Sequence, residues 1–281
     1  MEARAFFDAV GRGDAAAVRA ALADSPELAR AVLPDGGGPA ELVPGCRDGH
    51  SALHEAVRGG SAEVLGLLLE AGADPAVTNG DGRTALHDSC EYGRDDLGDL
   101  LLEHGADLDI CSAAIRGDLE AVTAHLDADP ARANDRSTGL SPLGWASYGN
   151  RPEVARRLLE RGARGDDHEL LCAAACGHVE VARVLLEHGA AADAVDPHGN
   201  TALHVAARLD FTCDASAFVE LMLEAGADPW REDARGRTAR DIALRGVDKE
   251  RLRLAEHPSA SEATCRRYDL VVKLLEQAGG R

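Results

Sequence analysis

The chain has 281 residues, 45% of them apolar and 3% aromatic, and its 49 acidic against 30 basic side chains give a net charge of -19. That balance argues against nucleic acid as a partner, because neutralising a phosphate backbone needs a basic face; it serves solubility or, in a sharper reading, draws in a basic protein segment. Seven cysteines with no pairing pattern, no apolar signal core after Met1 and no run of 18 apolar residues point to a reducing, cytoplasmic setting away from the membrane.

Two linked phrases recur. Ser51-Ala52-Leu53-His54 returns as Thr84-Ala85-Leu86-His87 and as Thr201-Ala202-Leu203-His204. A leucine-rich phrase that runs into glycine comes at Leu67 to Asp74, Leu100 to Asp107, Leu185 to Ala190 and Leu221 to Asp228. Aligning on the apolar residue before the histidine gives anchors at Phe6, Leu53, Leu86, Ile110, Leu143, Leu170, Leu203 and, degenerately, Arg240. The steps from Leu53 to Leu86, Ile110 to Leu143 and Leu170 to Leu203 are each 33 residues, the mark of a tandem array.

Taken in order, polar Asp8, Arg12, Asp14 and Arg19 make residues 1–33 an N-terminal cap unit, whose outer face must be polar. Gly36-Gly37-Gly38 within 34–47 predicts a flexible insertion. Residues 48–233 hold the central repeats. In the copy from Thr84 to Gly105, Thr84 is the hydroxyl N-cap of a short helix that Gly93 ends. A second helix then turns Leu97, Leu100 and Leu101 inward at i, i+3 and i+4. The loop after Gly105 is nine residues short of the period, the one after Gly162 is six short, and four extra residues fall around Phe211 to Asp214. Residues 234–281 form a C-terminal cap unit in which Arg240 stands where most units have Leu. Its insertion, 247–267, starts with a charged stretch, Asp248 to His257, that reads as a helix of its own.

On these phrases the chain resembles the ankyrin-repeat family, whose period is 33 residues and whose signature is T-P-L-H-x-A. The resemblance covers essentially the whole chain. It implies an all-α solenoid of about eight helix-pair units including caps, each pair joined to the next by a short hairpin-like loop. It implies that the recurrent histidine bonds loop backbone, and that the concave face of the first helices and the loop tips carry binding.

Three positions per unit should line that face: the residue after the histidine and the two before the helix-ending glycine. They include Glu55, Arg58, Asp88, Glu91, Tyr92, Arg116, Trp145, Tyr148 and Arg208. Aromatic and arginine side chains are enriched at binding hot spots, and Tyr92, Trp145 and Tyr148 are three of the five Trp and Tyr residues in the chain. The competing reading packs Trp145 into the core.

The expected function is therefore a non-catalytic module, monomeric, that binds a protein or peptide. The acids Glu55, Asp88 and Glu91 would favour a basic segment in that partner. A rival reading is an enzyme or small-molecule binder with a pocket around Asp88, Glu91, Tyr92, Arg116, Trp145 and Tyr148. Against it, the chain lacks a nucleophile elbow, phosphate loop, dinucleotide fingerprint or metal motif. Cys111 and Cys172 fall two units apart, too far for one tetrahedral zinc. Neither cofactor nor metal is expected. A third reading, an inhibitor masking a basic enzyme, rests on net charge alone.

Overall fold

A computed structural model describes residues 3–32, 49–165, 167–208, 215–256 and 262–278. Among them sixteen α-helices fall into eight antiparallel pairs: α1 (Ala3–Gly11) and α2 (Ala15–Asp24); α3 (Ala52–Gly59) and α4 (Ala62–Glu70); α5 (Ala85–Glu91) and α6 (Asp95–Glu103); α7 (Ile110–Arg116) and α8 (Leu119–Ala128). The rest are α9 (Pro142–Tyr148) and α10 (Pro152–Glu160); α11 (Asp167–Cys176) and α12 (Val179–Glu187); α13 (Ala202–Ala206) and α14 (Ala215–Glu224); α15 (Ala239–Glu256) and α16 (Glu262–Ala278). Apart from α15 and α16 none exceeds 10 residues, too short to persist alone in water. Stacking stabilises them. The first helices pack in one row, α1 on α3 and so on to α15, and the second helices form a row behind it.

Local chemistry sets the ends. Asp14 accepts from the Ala17 amide at 3.0 Å and Asp118 from the Ala121 amide at 2.9 Å, each filling an orphan donor at a helix start. The first-helix row is close enough to require glycine at two crossings. A Cβ on Gly59 would meet the Gly11 carbonyl oxygen at 2.7 Å, and one on Gly149 the Ile115 carbonyl oxygen at 2.6 Å.

The core divides into two clusters, one from Phe6 to Leu101 and one from Ile110 to Leu275. They meet at the joint between units three and four, where the loop is nine residues short. There the α6–α8 step of the second row is weaker than its counterparts, and the buried side chains between α5 and α7 include His87, Asp88, Ser89 and Ser112. Unit four also repeats features of unit one: Arg12-Gly13-Asp14 matches Arg116-Gly117-Asp118, and each pair is followed by a 3-10 turn, Pro26–Arg30 and Pro130–Asn134. In a solenoid, stability is a sum over units and neighbour interfaces, so a joint with less apolar burial is where cooperativity breaks. Native-state hydrogen exchange is expected to show two cooperative blocks, dividing at 106–109, that lose protection at different denaturant concentrations. A single block spanning both would contradict this.

One expectation is corrected. The charged stretch after Val247 does not form a separate helix: α15 continues unbroken through Glu256. No glycine or proline interrupts the chain between Gly246 and Pro258, and the run is rich in good helix formers. Tyr268 of α16 is buried against Gly246, whose missing side chain leaves room for the ring. Arg240 pairs with Glu276 through Nε at 3.0 Å and Nη2 at 2.6 Å. The insertion over 34–47, the extra residues Phe211 to Asp214 and part of 247–267 lie outside the described residues.

Candidate partner-binding face

The repeated histidines hold each unit to the next. The backbone N–H groups of Ser51, Thr84 and Thr201 donate to Nδ1 of His54, His87 and His204 at 3.2, 3.2 and 3.1 Å, with the N-cap hydroxyls at 2.7, 3.0 and 2.8 Å. A backbone N–H can only donate, so Nδ1 is the acceptor and the neutral ring carries its proton on Nε2. In two units that proton reaches forward, from His54 to the Arg83 carbonyl and from His204 to the Arg237 carbonyl, both at 2.9 Å. Burial lowers the His54 pKa below the ordinary histidine value, and the bond to Arg83 opposes it.

Across the two clipped loops the counterpart is a carboxylate of the next unit. Nε2 of His87 lies 3.2 Å from Oδ2 of Asp109, outside regular hydrogen-bond geometry. Asp109 also caps α7: Oδ1 accepts from the amides of Cys111 at 2.8 Å and Ser112 at 3.0 Å, and Oδ2 accepts from the Ser112 hydroxyl at 3.0 Å. Burial by itself would raise this carboxyl's pKa; His87 and the Ser112 donors outweigh it and hold the value at about 2. In unit five Gly144 replaces the histidine, and the N-cap hydroxyl of Ser141 donates to Glu169 Oε1 at 2.7 Å. That carboxylate oxygen would lie 3.8 Å from a Cβ on Gly144, so Glu169 occupies the side the absent imidazole vacates. In the last pair Asp241 plays the part within its own unit, accepting from the Thr238 amide at 2.9 Å and hydroxyl at 2.8 Å.

The strip expected to carry three exposed rings carries fewer. Trp145 is 2% exposed and belongs to the core; its Nε1 donates to Thr138 Oγ1 at 2.9 Å. Its ring is met edge-on by Tyr148 at 6.1 Å and covered by the Arg83 guanidinium at 4.8 Å, a cation–π contact. Arg83 Nη1 in turn donates to Glu91 Oε2 at 2.5 Å. The Arg83–Glu91 pair therefore roofs the indole, with Tyr148 half-buried beside it and Tyr92 43% exposed. Burial raises the Tyr148 pKa, and the charge of Glu91 adds to the effect.

Two acids expected at the surface are also inside. Glu55 is 0% exposed and Asp88 2%. Arg58 donates to both Glu55 carboxylate oxygens, from Nε at 3.0 Å and from Nη2. The Glu55 carboxylate fills the room left by Gly11. Arg116 donates to Asp99 Oδ1 at 2.5 Å, and exposed Arg208 donates to Asn200 Oδ1 at 2.5 Å. Of the residues named for a catalytic pocket, Glu91, Trp145 and Tyr148 come together around the Arg83 guanidinium, whereas Arg116 pairs with Asp99. Sequence reasoning missed Arg83, although the tripeptides Gly82-Arg83-Thr84 and Gly236-Arg237-Thr238 repeat an arginine just ahead of the N-cap.

Among the described residues no group of three or more His, Cys, Asp or Glu is placed to hold a metal ion, and no helix is long and apolar enough to cross a membrane. Burial pushes the Cys90 thiol up to about 11 and the Cys111 thiol up to about 12. Since only the thiolate alkylates, neither is expected to react with iodoacetamide in the folded protein at pH 8, as peptide mapping by mass spectrometry would show. Rapid native-state labelling of either would contradict their burial.

The family model described as ankyrin repeats (3 copies) matches residues 17–112 and 166–233, more than half of the chain. The stretch between contains most of unit four and all of unit five, where Gly144 stands in the histidine position. With eight stacked helix pairs, capping-box histidines tying unit to unit and a match of this extent, the chain belongs to the ankyrin-repeat family.

Proposed function

We propose that the protein is a non-catalytic interaction module that binds a partner protein or peptide along the edge of the first-helix row and its loop tips. Ankyrin repeats are generally protein–protein interaction modules, and the binding patch proposed here centres on Tyr92 and Tyr148, with Arg58, Glu91 and Arg208 along the same row. The observation that carries this reading is the exposure of Tyr92, 43%, beside the Arg83–Glu91 pair. An amphipathic ring next to a charged pair is the combination that recognition surfaces favour. The net charge of -19 favours a partner that offers a basic segment. The module acts as a monomer in the cytoplasm.

The test is the double variant Tyr92→Ala/Tyr148→Ala, tagged and expressed in the native host, with the retained proteins quantified against wild type. Loss of at least one abundant partner from a variant that keeps its circular dichroism spectrum is expected. An unchanged set of retained proteins overturns the assignment.

A further inference from the structure

The hairpins ahead of α13 and α15 enclose a cavity of about 270 Å³ whose lining includes His198, Asn200, Arg208, Asp233, Arg235 and Arg237. Both hairpins fold around an aspartate. Asp196 Oδ1 accepts from the amides of His198 and Asn200, each at 2.8 Å, and Asp233 Oδ1 from those of Arg235 at 2.8 Å and Arg237 at 3.0 Å. The Ala234 amide donates to the His198 carbonyl at 3.0 Å and locks one hairpin onto the other. Equivalent positions therefore stack, His198 with Arg235 at the tips and Asn200 with Arg237 behind them.

The charge in this cavity does not cancel. Asp233 is its one lining carboxylate, and all of that group's acceptor capacity is taken: Oδ1 by the two amides above, Oδ2 by Arg237 Nε at 2.8 Å and Nη2 at 2.5 Å. That leaves two guanidinium groups in the cavity, against one further carboxylate behind it, Asp196, whose Oδ2 accepts from Asn200 Nδ2 at 2.6 Å, so one positive charge remains uncompensated. Arg208 donates to the neutral amide oxygen of Asn200, and Arg235 forms no ion pair with a carboxylate among the described residues. The overall charge of -19 does little to offset them locally, because exposed charges beyond about 8 Å are screened at physiological salt.

We propose that this cavity is an oxyanion site that takes a phosphate monoester, on a partner side chain or on a small metabolite. Two planar guanidinium forks match phosphate oxygens bidentately. His198 also lines the cavity, and an imidazole N–H beside two guanidinium groups offers a third donor, which suits a dianion with three terminal oxygens better than a two-oxygen carboxylate. The site lies on different units from Tyr92 and Tyr148 and shares only Arg208 with the row proposed above, so phosphate binding is read separately from the effect of Tyr92→Ala/Tyr148→Ala on partner capture.

The test is isothermal titration of the full chain, at low ionic strength, with inorganic phosphate, a phosphoserine peptide, its unphosphorylated form and acetate. Phosphate and phosphopeptide are expected to bind, and Arg208→Gln/Arg235→Gln to weaken both by about tenfold or more. Arg231→Gln, exposed and outside the cavity, should leave them unchanged. A peptide tighter than phosphate assigns the site to a protein ligand, and equal affinity assigns it to a small phosphate; both support the site. No binding up to about 10 mM phosphate, acetate binding as well as phosphate, or equal affinity in the double variant would each overturn it.

Discussion

Trp145→Ala is expected to lower the free energy of unfolding by about 3–5 kcal/mol, the range for emptying an aromatic site in a packed core. The indole is 2% exposed, so little of the void can be refilled by water or by movement of a surface side chain. The loss includes the cover that Arg83 places over the ring at 4.8 Å, the edge contact with Tyr148 and the bond from Nε1 to Thr138. Trp145→Phe separates these contributions: it keeps most of the ring but leaves Thr138 without its indole donor, for a smaller cost of about 1–2 kcal/mol. Urea denaturation monitored by circular dichroism measures both. A surface tryptophan would behave differently, with a stability change within about 0.5 kcal/mol, and that result for the alanine variant would return Trp145 to the binding face.

The second large effect is at Asp109, which joins the two core clusters. Asp109→Ala removes the cap of α7, worth about 0.5–2 kcal/mol, and the carboxylate beside buried His87, whose ring then faces a desolvation cost of about 1–3 kcal/mol. A total loss of about 1.5–5 kcal/mol is expected. Asp109→Asn keeps a capping oxygen and loses only the charge, so it should cost less. The carboxyl is held at about 2 in the fold, below its ordinary value of about 3.9 when unfolded. A depressed folded value stabilises the protein above the unfolded one, and that contribution disappears as pH falls from about 4 to about 2. At neutral pH it is about 2–3 kcal/mol. The difference in urea midpoint between wild type and Asp109→Asn should therefore be largest near pH 7 and shrink at pH 3. A difference that does not change with pH would show that the charge plays no part in stapling the joint.

Period was the most legible property of this chain. Recurring histidine and glycine phrases locate most of the helix pairs, because those pairs end at a left-handed glycine and begin with a hydroxyl or carboxylate cap. The two clipped loops could be read from the same spacing. Their consequence could not, because the carboxylates that replace the missing hairpin, Asp109 and Glu169, come from the following unit and meet His87 and Ser141 only once the units stack. Exposure was the least legible property. A position that faces solvent in a uniform array is covered when a neighbour is small or long: Glu55 sinks into the room left by Gly11, and Trp145 is roofed by Arg83 from two units earlier. These contacts depend on which side chain each neighbouring unit presents at that height, and a period of 33 residues carries no information about it.

The division of the core at the joint between units three and four bears on the proposed surface. Tyr92 and the Arg83–Glu91 pair belong to unit three, whereas Trp145 and Tyr148 belong to unit five, so the patch spans the joint. A partner seated there would bridge both core clusters and add to the α5–α7 packing that connects them. Binding at this place would raise the stability of the weaker block by mass action.

The most direct test of the account is site-specific photo-crosslinking in the cells that make the protein. A benzoylphenylalanine residue would replace Tyr92 in one sample and Glu103, exposed on the second-helix row, in another. Irradiation is expected to give a covalent adduct from position 92 that Tyr148→Ala abolishes, and none from position 103. An adduct from 103 with none from 92 would contradict the claim that partners engage the first-helix row.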